Sequence, residues 1–302
     1  MCADTSIDTA GSWRLRTSRK RKGDLVTSNH MKDYFQKPVR LLGTDLDGTL
    51  LDHLGQISKS NLKAIARARE HQITSVISTA RSIKSVRQIA SSGGLGPLAV
   101  CQNGASIYDL ASDRLISHTP IEVDLAISII LNIREEVPGV IFAIEKLDRF
   151  IPEHDFFAIS VPDLFEEPIK DVLAEIDRPI TKIICKHPQL SHAELNDVAV
   201  GICGNLVSTT SAGRDWVDFQ ALGISKATGL AHVGQILGWD QSECAAIGDQ
   251  SNDVPMLEWA NYSAATANAS DEAKAAANWL APANTEDGVA VFIDHLIHKF
   301  NK

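Results

Sequence analysis

Val39-Arg40-Leu41-Leu42-Gly43-Thr44-Asp45-Leu46-Asp47-Gly48-Thr49-Leu50 passes within twelve residues from an apolar run to a pair of carboxylates. The first half reads as a buried strand, and the Asp-x-Asp-Gly that follows reads as the polar loop where it stops. Ligands of open parallel sheets bind beyond the carboxyl ends of the strands. Two carboxylates at such an end, two residues apart, can divide labour. Asp45 can attack phosphorus and Asp47 can move protons. Gly48 permits the sharp turn and turns backbone N–H groups toward a phosphate.

The same rhythm continues outward. Ser58 to Glu70 has helical spacing (Leu62, Ile65, Ala66), with Ser58 or Ser60 as cap. A strand from Ile73 to Ser78 ends at Thr79-Ala80-Arg81, and a helix through Ile83, Val86 and Ile89 follows. A third strand, Pro97 to Cys101, ends near Asn103-Gly104. After Lys226 the alternation returns: helix to Leu237, strand Ala245 to Gly248, helix Val254 to Trp259, strand Tyr262 to Thr266, helix Asp271 to Ala277 and a closing helix Val289 to His298. This predicts a parallel sheet with helices on both faces. Between about His118 and Gly213 the rhythm loosens. Strands are expected at Val140 to Glu145 and Ile180 to Cys185, and helices at Leu125 to Arg134, Ile169 to Ile176 and Ala193 to Val198. We read this as an α+β insert, residues 118–212, in a core made of 37–117 and 213–302. Residues 1–36 are polar and aperiodic and are expected to be a disordered extension.

Composition narrows the function. The net charge is −9, but residues 1–40 carry nine Lys/Arg against four Asp/Glu, a net of +5, which leaves −14 on the rest. An acidic body argues against a nucleic-acid surface. No run is long enough to span a membrane, and five scattered cysteines without a C-x-x-C pair indicate a reduced, cytoplasmic chain. His187 and His192 lack a Cys or acidic partner at zinc spacing, and no P-loop motif occurs.

Three more strand or helix ends bear chemistry. Gly248-Asp249-Gln250-Ser251-Asn252-Asp253 follows an apolar strand. Asp249 and Asp253 are hard oxygen donors suited to Mg²⁺, and Asn252 can donate to a substrate. The Thr79 hydroxyl can bind a phosphoryl oxygen. Lys226 opens a helix, where a positive charge is mildly unfavourable, so a phosphoryl dianion flanked by carboxylates would account for it. Taken singly, each motif has an ordinary alternative: a turn, a cap, an acidic loop or a surface lysine.

Together, Asp45-x-Asp47-Gly48-Thr49, Thr79, Lys226 and Gly248-Asp249-x-x-Asn252-Asp253 stand in the order of the four motifs of haloacid dehalogenase-like phosphatases, and the chain resembles that family. The insert, Thr79-Ala80-Arg81, Asn103-Gly104-Ala105 and Asn284-x-x-Asp287-Gly288-Val289 resemble its type IIB, Cof-like branch. The resemblance implies a Rossmann-like, doubly wound parallel-sheet core with an inserted cap. It implies Asp45 as nucleophile and metal ligand, and Asp47 as acid/base with a backbone carbonyl on the metal. Thr79 and Lys226 then bind phosphate, Asp249 is a further ligand and Asp253 supports the metal shell. Gly48, Arg81, Asn103 and Asn252 are candidate substrate contacts. The implied activity is Mg²⁺-dependent hydrolysis of small phosphorylated metabolites through an aspartyl-phosphate, by a monomer or small homo-oligomer. A phosphomutase, or a silent sugar-phosphate-binding regulator, is the alternative. The chain departs from the branch at Ala80, where glycine is usual, at Trp216 to Phe219, and at Tyr262 to Asn268, which keeps only Asn268-Ala269 of a Gly-Asn-Ala.

Overall fold

In a computed structural model, residues 37–90, 95–147, 149–156, 167–210 and 215–300 are described, and the extension expected at 1–36 lies outside them. The main sheet takes β1 (Leu41–Thr44), β2 (Thr74–Ser78), β3 (Leu98–Cys101), β4 (Ser106–Asp109) and β5 (Arg114–His118). The chain then builds a second sheet from β6 (Ile141–Lys146), β7 (Arg149–Pro152), β8 (Lys182–Lys186), β9 (Val207–Thr210) and β10 (Val217–Ala221). It returns to the first with β11 (Cys244–Gly248), β12 (Tyr262–Thr266) and β13 (Trp279–Ala281). The helices are α1 (Lys59–Glu70), α2 (Ile83–Ala90), α3 (Val123–Glu136), α4 (His192–Cys203), α5 (Lys226–Leu237), α6 (Val254–Trp259), α7 (Asp271–Ala276) and α8 (Gly288–Phe300).

The strand order is β13-β12-β11-β1-β2-β3-β4-β5. The six strands from β13 to β3 are parallel. Their alternating residues feed two cores. Leu42 packs with Ala64 and Ile65 of α1, Val86 of α2, and Phe292 and Ile293 of α8. Leu41 packs on the other face with Leu230 and Val233 of α5, Met256 of α6 and Ala273 of α7. A strand buried on both faces reads as an unbroken apolar run, which is how β1 reads.

Three details differ from the sequence reading. The sheet is not parallel throughout, because β4 and β5 pair antiparallel to β3 and to each other. Only residues 102–105 separate β3 from the next strand, too short for the crossover that a parallel pair requires. The return to the core also comes later than residue 213, since β10 still pairs with β8 and β9 of the second sheet. Within the insert, the helix expected at Ile169 to Ile176 is one short turn, Val172–Glu175, capped by Asp171. Ile169 instead bridges Glu153.

The second sheet runs β7-β6-β8-β10-β9 and packs α3 and α4 on one face. The link from β10 to α5 is tight: Ile224 N–H donates to the Ala221 carbonyl at 3.1 Å, and Gly223 N–H to Ser208 Oγ at 2.9 Å. The four described cysteines, Cys101, Cys185, Cys203 and Cys244, are buried and free. No helix among the described residues is long and apolar enough to cross a membrane.

Candidate active site

The strand order reverses between β1 and β11, because the chain proceeds outward from β1 in one direction and from β11 in the other. The crevice at such a switch point is where open α/β sheets bind ligands. Asp45 leaves β1 there in extended backbone, its N–H bonded to the Ile247 carbonyl at 3.0 Å. Gly48 then turns the chain with φ +76°, and a Cβ at that position would lie 2.3 Å from Asp249 Oδ2. The turn therefore needs glycine twice over, for its left-handed backbone and for the room it leaves Asp249.

Asp45, Asp249 and Asp253 are all buried, and their candidate ligand atoms lie within 4.8 Å of one another. Lys226, the first residue of α5 and 1% exposed, reaches into this group. Its Nζ donates to Asp45 Oδ1 at 2.7 Å and to Asp253 Oδ1 at 2.5 Å. Two carboxylates of the kind expected to flank this lysine are thus in place. Asp253 Oδ2 accepts the N–H groups of Asp249 and Gln250, both at 2.9 Å, which closes the loop after β11. Asp249 Oδ1 accepts from Thr49 Oγ1 at 2.8 Å.

Three carboxylates around one ammonium leave an excess of negative charge. Burial pushes the Asp45 carboxyl well above its usual range, and Asp253 and Asp249 add to this against the pull of Lys226. Burial, then Asp253, pushes Asp249 up to about 6. Burial works against the Lys226 ammonium, but Asp253 and Asp45 outweigh it and hold its pKa above the usual lysine value.

Asp47 is set apart. Arg81 grips its carboxylate with Nε at 2.7 Å and Nη2 at 2.5 Å, so its side chain stands outside the three-carboxylate group. Thr79, at the end of β2, is buried and accepts the Arg81 N–H on its hydroxyl at 3.2 Å. Gln102 and Asn103 adopt positive φ, 53° and 56°. Such backbone costs energy in non-glycine residues and collects at functional sites. The turn aims Asn103 between two partners: Asn252 Nδ2 donates to its Oδ1 at 3.1 Å, and its Nδ2 donates to Thr210 Oγ1 at 3.2 Å.

Sequence reading missed three supports. Thr49 holds Asp249, Gln102 donates to Glu145 Oε1 at 2.7 Å, and Asn268 Nδ2 donates to the Gly48 carbonyl at 2.8 Å. Asn268 Oδ1 also accepts the Asn284 N–H at 3.0 Å, and Asn284 Nδ2 donates to the Leu51 carbonyl at 2.9 Å. The C-terminal motif thus braces the loop that carries Asp45 and Asp47. His187, set aside as a zinc ligand, accepts the N–H groups of Gln189 and Leu190 and organises a turn.

A doubly wound sheet with an acidic, lysine-compensated crevice and a second sheet touching it defines a phosphatase with an α/β core. The chain belongs to the haloacid dehalogenase-like hydrolases, whose family profile matches residues 42–293, and its similar curated relatives are named phosphatases. It is 28% identical over 266 residues to the 5-amino-6-(5-phospho-D-ribitylamino)uracil phosphatase YcsE of Bacillus subtilis, covering 86% of this chain and 96% of that one. It is 30% identical over 278 residues to the pyridoxal phosphate phosphatase YbhA of Escherichia coli, covering 86% and 99%. Its fold is that of SMU.1108c from Streptococcus mutans, with TM-score 0.75 at 24% identity over 86% and 99% of the two chains.

Proposed function

We propose that this phosphatase requires Mg²⁺ and hydrolyses small phosphorylated metabolites through a phosphoryl group carried on Asp45. The observation that carries the reading is the buried group of Asp45, Asp249, Asp253 and Lys226 at the sheet's carboxyl edge. The donor set fits a small hard cation, since three carboxylates face a single ammonium among the described residues. Asp45, Asp249 and the main-chain carbonyl of Asp47 would hold the cation, with Asp253 supporting the shell. When bound, it neutralises charge on the phosphoryl oxygens and on the attacking carboxylate.

The chain's own groups supply the rest. Lys226 engages Oδ1 of Asp45 and leaves Oδ2 for phosphorus. Attack by that oxygen breaks the phosphorus–oxygen bond of the ester, and protonated Asp47 gives its proton to the departing oxygen. Asp47 then takes a proton from the water that attacks the phosphoryl-Asp45, which releases phosphate and restores both carboxyl groups. The Thr79 hydroxyl and Lys226 bind phosphoryl oxygens. Residues 118–221, with the second sheet, act as a cap on the site. Two relatives named for phosphomonoester substrates support a small-metabolite reading.

The test is phosphate release from a panel of phosphorylated metabolites, with and without Mg²⁺. Release that ignores chelation of the metal, or that survives Asp45→Asn undiminished, contradicts this reading.

A further inference from the structure

Polar and apolar residues alternate along β10. Val217 and Phe219 pack into the cluster shared with α3 and α4, so Asp218 and Gln220 point to the opposite face of the second sheet. Cross-strand register extends that face: Asp218 lies opposite Thr210 and Ile184, Gln220 opposite Ser208, and Glu145 opposite Lys182. Residues directly opposite share a face.

Three contacts show where the face looks. Thr210 accepts from Asn103, Glu145 accepts from Gln102, and Lys182 Nζ donates to the Ala80 carbonyl at 3.3 Å. Ala80, Gln102 and Asn103 belong to the turns after β2 and β3, so Asp218 and Gln220 share the face turned toward the catalytic crevice.

Their polar atoms are not spent there. Asp218 is 2% exposed and Gln220 0%, yet Asp218 Oδ1 and both amide atoms of Gln220 have no hydrogen-bond partner among the described residues. Native proteins rarely bury polar atoms unpaired, because desolvation is then uncompensated. Asp218 Oδ2 lies 3.2 Å from Lys182 Nζ, which is 3.5 Å from Glu145 Oε2. Burial works against the Lys182 ammonium, but Asp218 and Glu145 outweigh it. Around Lys182 two carboxylates stand against one ammonium, and Lys186, two positions beyond Ile184 on β8, is the next cation on that face.

Resting on the phosphatase reading above, we propose that Asp218 and Gln220 are specificity-determining residues that hydrogen-bond the leaving group. Asp218 Oδ1 accepts from its O–H or N–H, and the unpaired Asp218 oxygen turns away leaving groups that place a second anion against it. The selection acts on the part of the substrate that departs, not on the phosphoryl group.

The test compares kcat/KM with Mg²⁺ for three esters: p-nitrophenyl phosphate, sorbitol 6-phosphate and 6-phosphogluconate. The last two differ only in a terminal alcohol against a carboxylate. Wild-type protein should favour the alcohol at least tenfold. Asp218→Asn, a near-isosteric change checked by thermal melting, should narrow that ratio at least threefold. Gln220→Leu should lower the ratio of sorbitol ester to aryl ester about tenfold. An alcohol-to-carboxylate ratio near one in wild type, or variants that shift all three esters alike, overturns the assignment. Silence on all three esters removes the phosphatase reading, and this inference with it.

Discussion

Arg81 holds both carboxylate oxygens of Asp47, at 2.7 and 2.5 Å, while donating from Nη1 to Ser85 Oγ at 3.1 Å. The side chains are 30% and 44% exposed, so the pair contributes little to stability, about 0–1 kcal/mol. In the proposed reaction an incoming phosphoryl dianion would compete with Asp47 for the guanidinium. Arg81→Gln should raise KM for a phosphomonoester by about tenfold or more, the worth of one charge-assisted hydrogen bond. The melting temperature should hardly move. A large loss of stability with unchanged KM would place Arg81 in the scaffold instead.

Asp45→Asn removes the attacking oxygen and keeps the shape. Phosphate release should fall by several orders of magnitude, as for loss of any covalent nucleophile. Folding should survive, because the change also relieves crowding of the three buried carboxylates. Single-turnover assays and circular dichroism on the same preparation separate the two effects.

Lys226→Met leaves Asp45 and Asp253 buried with no counter-ion among the described residues. Breaking a buried ion pair by removing one partner costs about 3–5 kcal/mol. Urea denaturation without metal should show a loss of that size. Mg²⁺ should restore part of it, because ligand binding to the folded state adds stability by mass action. A variant as stable as wild type in chelator would mean that Lys226 compensates nothing.

Gly48→Ala puts a methyl where Asp249 Oδ2 lies, on a backbone at φ +76°. Either the turn opens or Asp249 withdraws. Both spoil the cation site, so the thermal stabilisation by Mg²⁺ seen in wild type should shrink or vanish. An undiminished Mg²⁺ shift would show that the turn tolerates the methyl.

His118, half-buried at the end of β5, has Nε2 3.0 Å from Thr181 Oγ1, and burial lowers its pKa. The folded state thus favours neutral imidazole over the unfolded chain. Its contribution is present above the ordinary histidine value of about 6.5 and is lost as pH falls below it. Melting curves between pH 7 and 5 should fall more steeply for wild type than for His118→Gln. Parallel slopes would deny the residue this part.

The core was legible because its local signals agreed. Lys226–Leu237, Val254–Trp259 and Tyr262–Thr266 begin and end where the sequence places them, with the Ser225 cap and Gly238 at φ +77° bounding α5. The carboxylates that gather in the crevice were legible because Asp45 and Asp249 each follow an apolar strand. Partner choice was not. Nothing local says that Asp47 faces Arg81 while Asp45 faces Lys226, since the second contact spans 181 positions. The missed edge of the insert did leave a trace: Val217-Asp218-Phe219-Gln220 alternates with period two, the mark of a strand with only one face on helices. Read that way, β10 falls outside the doubly buried core sheet, and its two polar side chains fall on one side.

Between Ala221, where β10 ends, and Lys226, where α5 begins, the chain has four residues, drawn tight by the Ile224–Ala221 and Gly223–Ser208 bonds. The strand that reads the leaving group is therefore geared to the ammonium that steadies the nucleophile. A hinge that lifts β10 must take up its travel in that short tether or draw the counter-ion out of the crevice. On the proposed reading, opening of the cap and the charge balance around Asp45 would be tied through this one short segment.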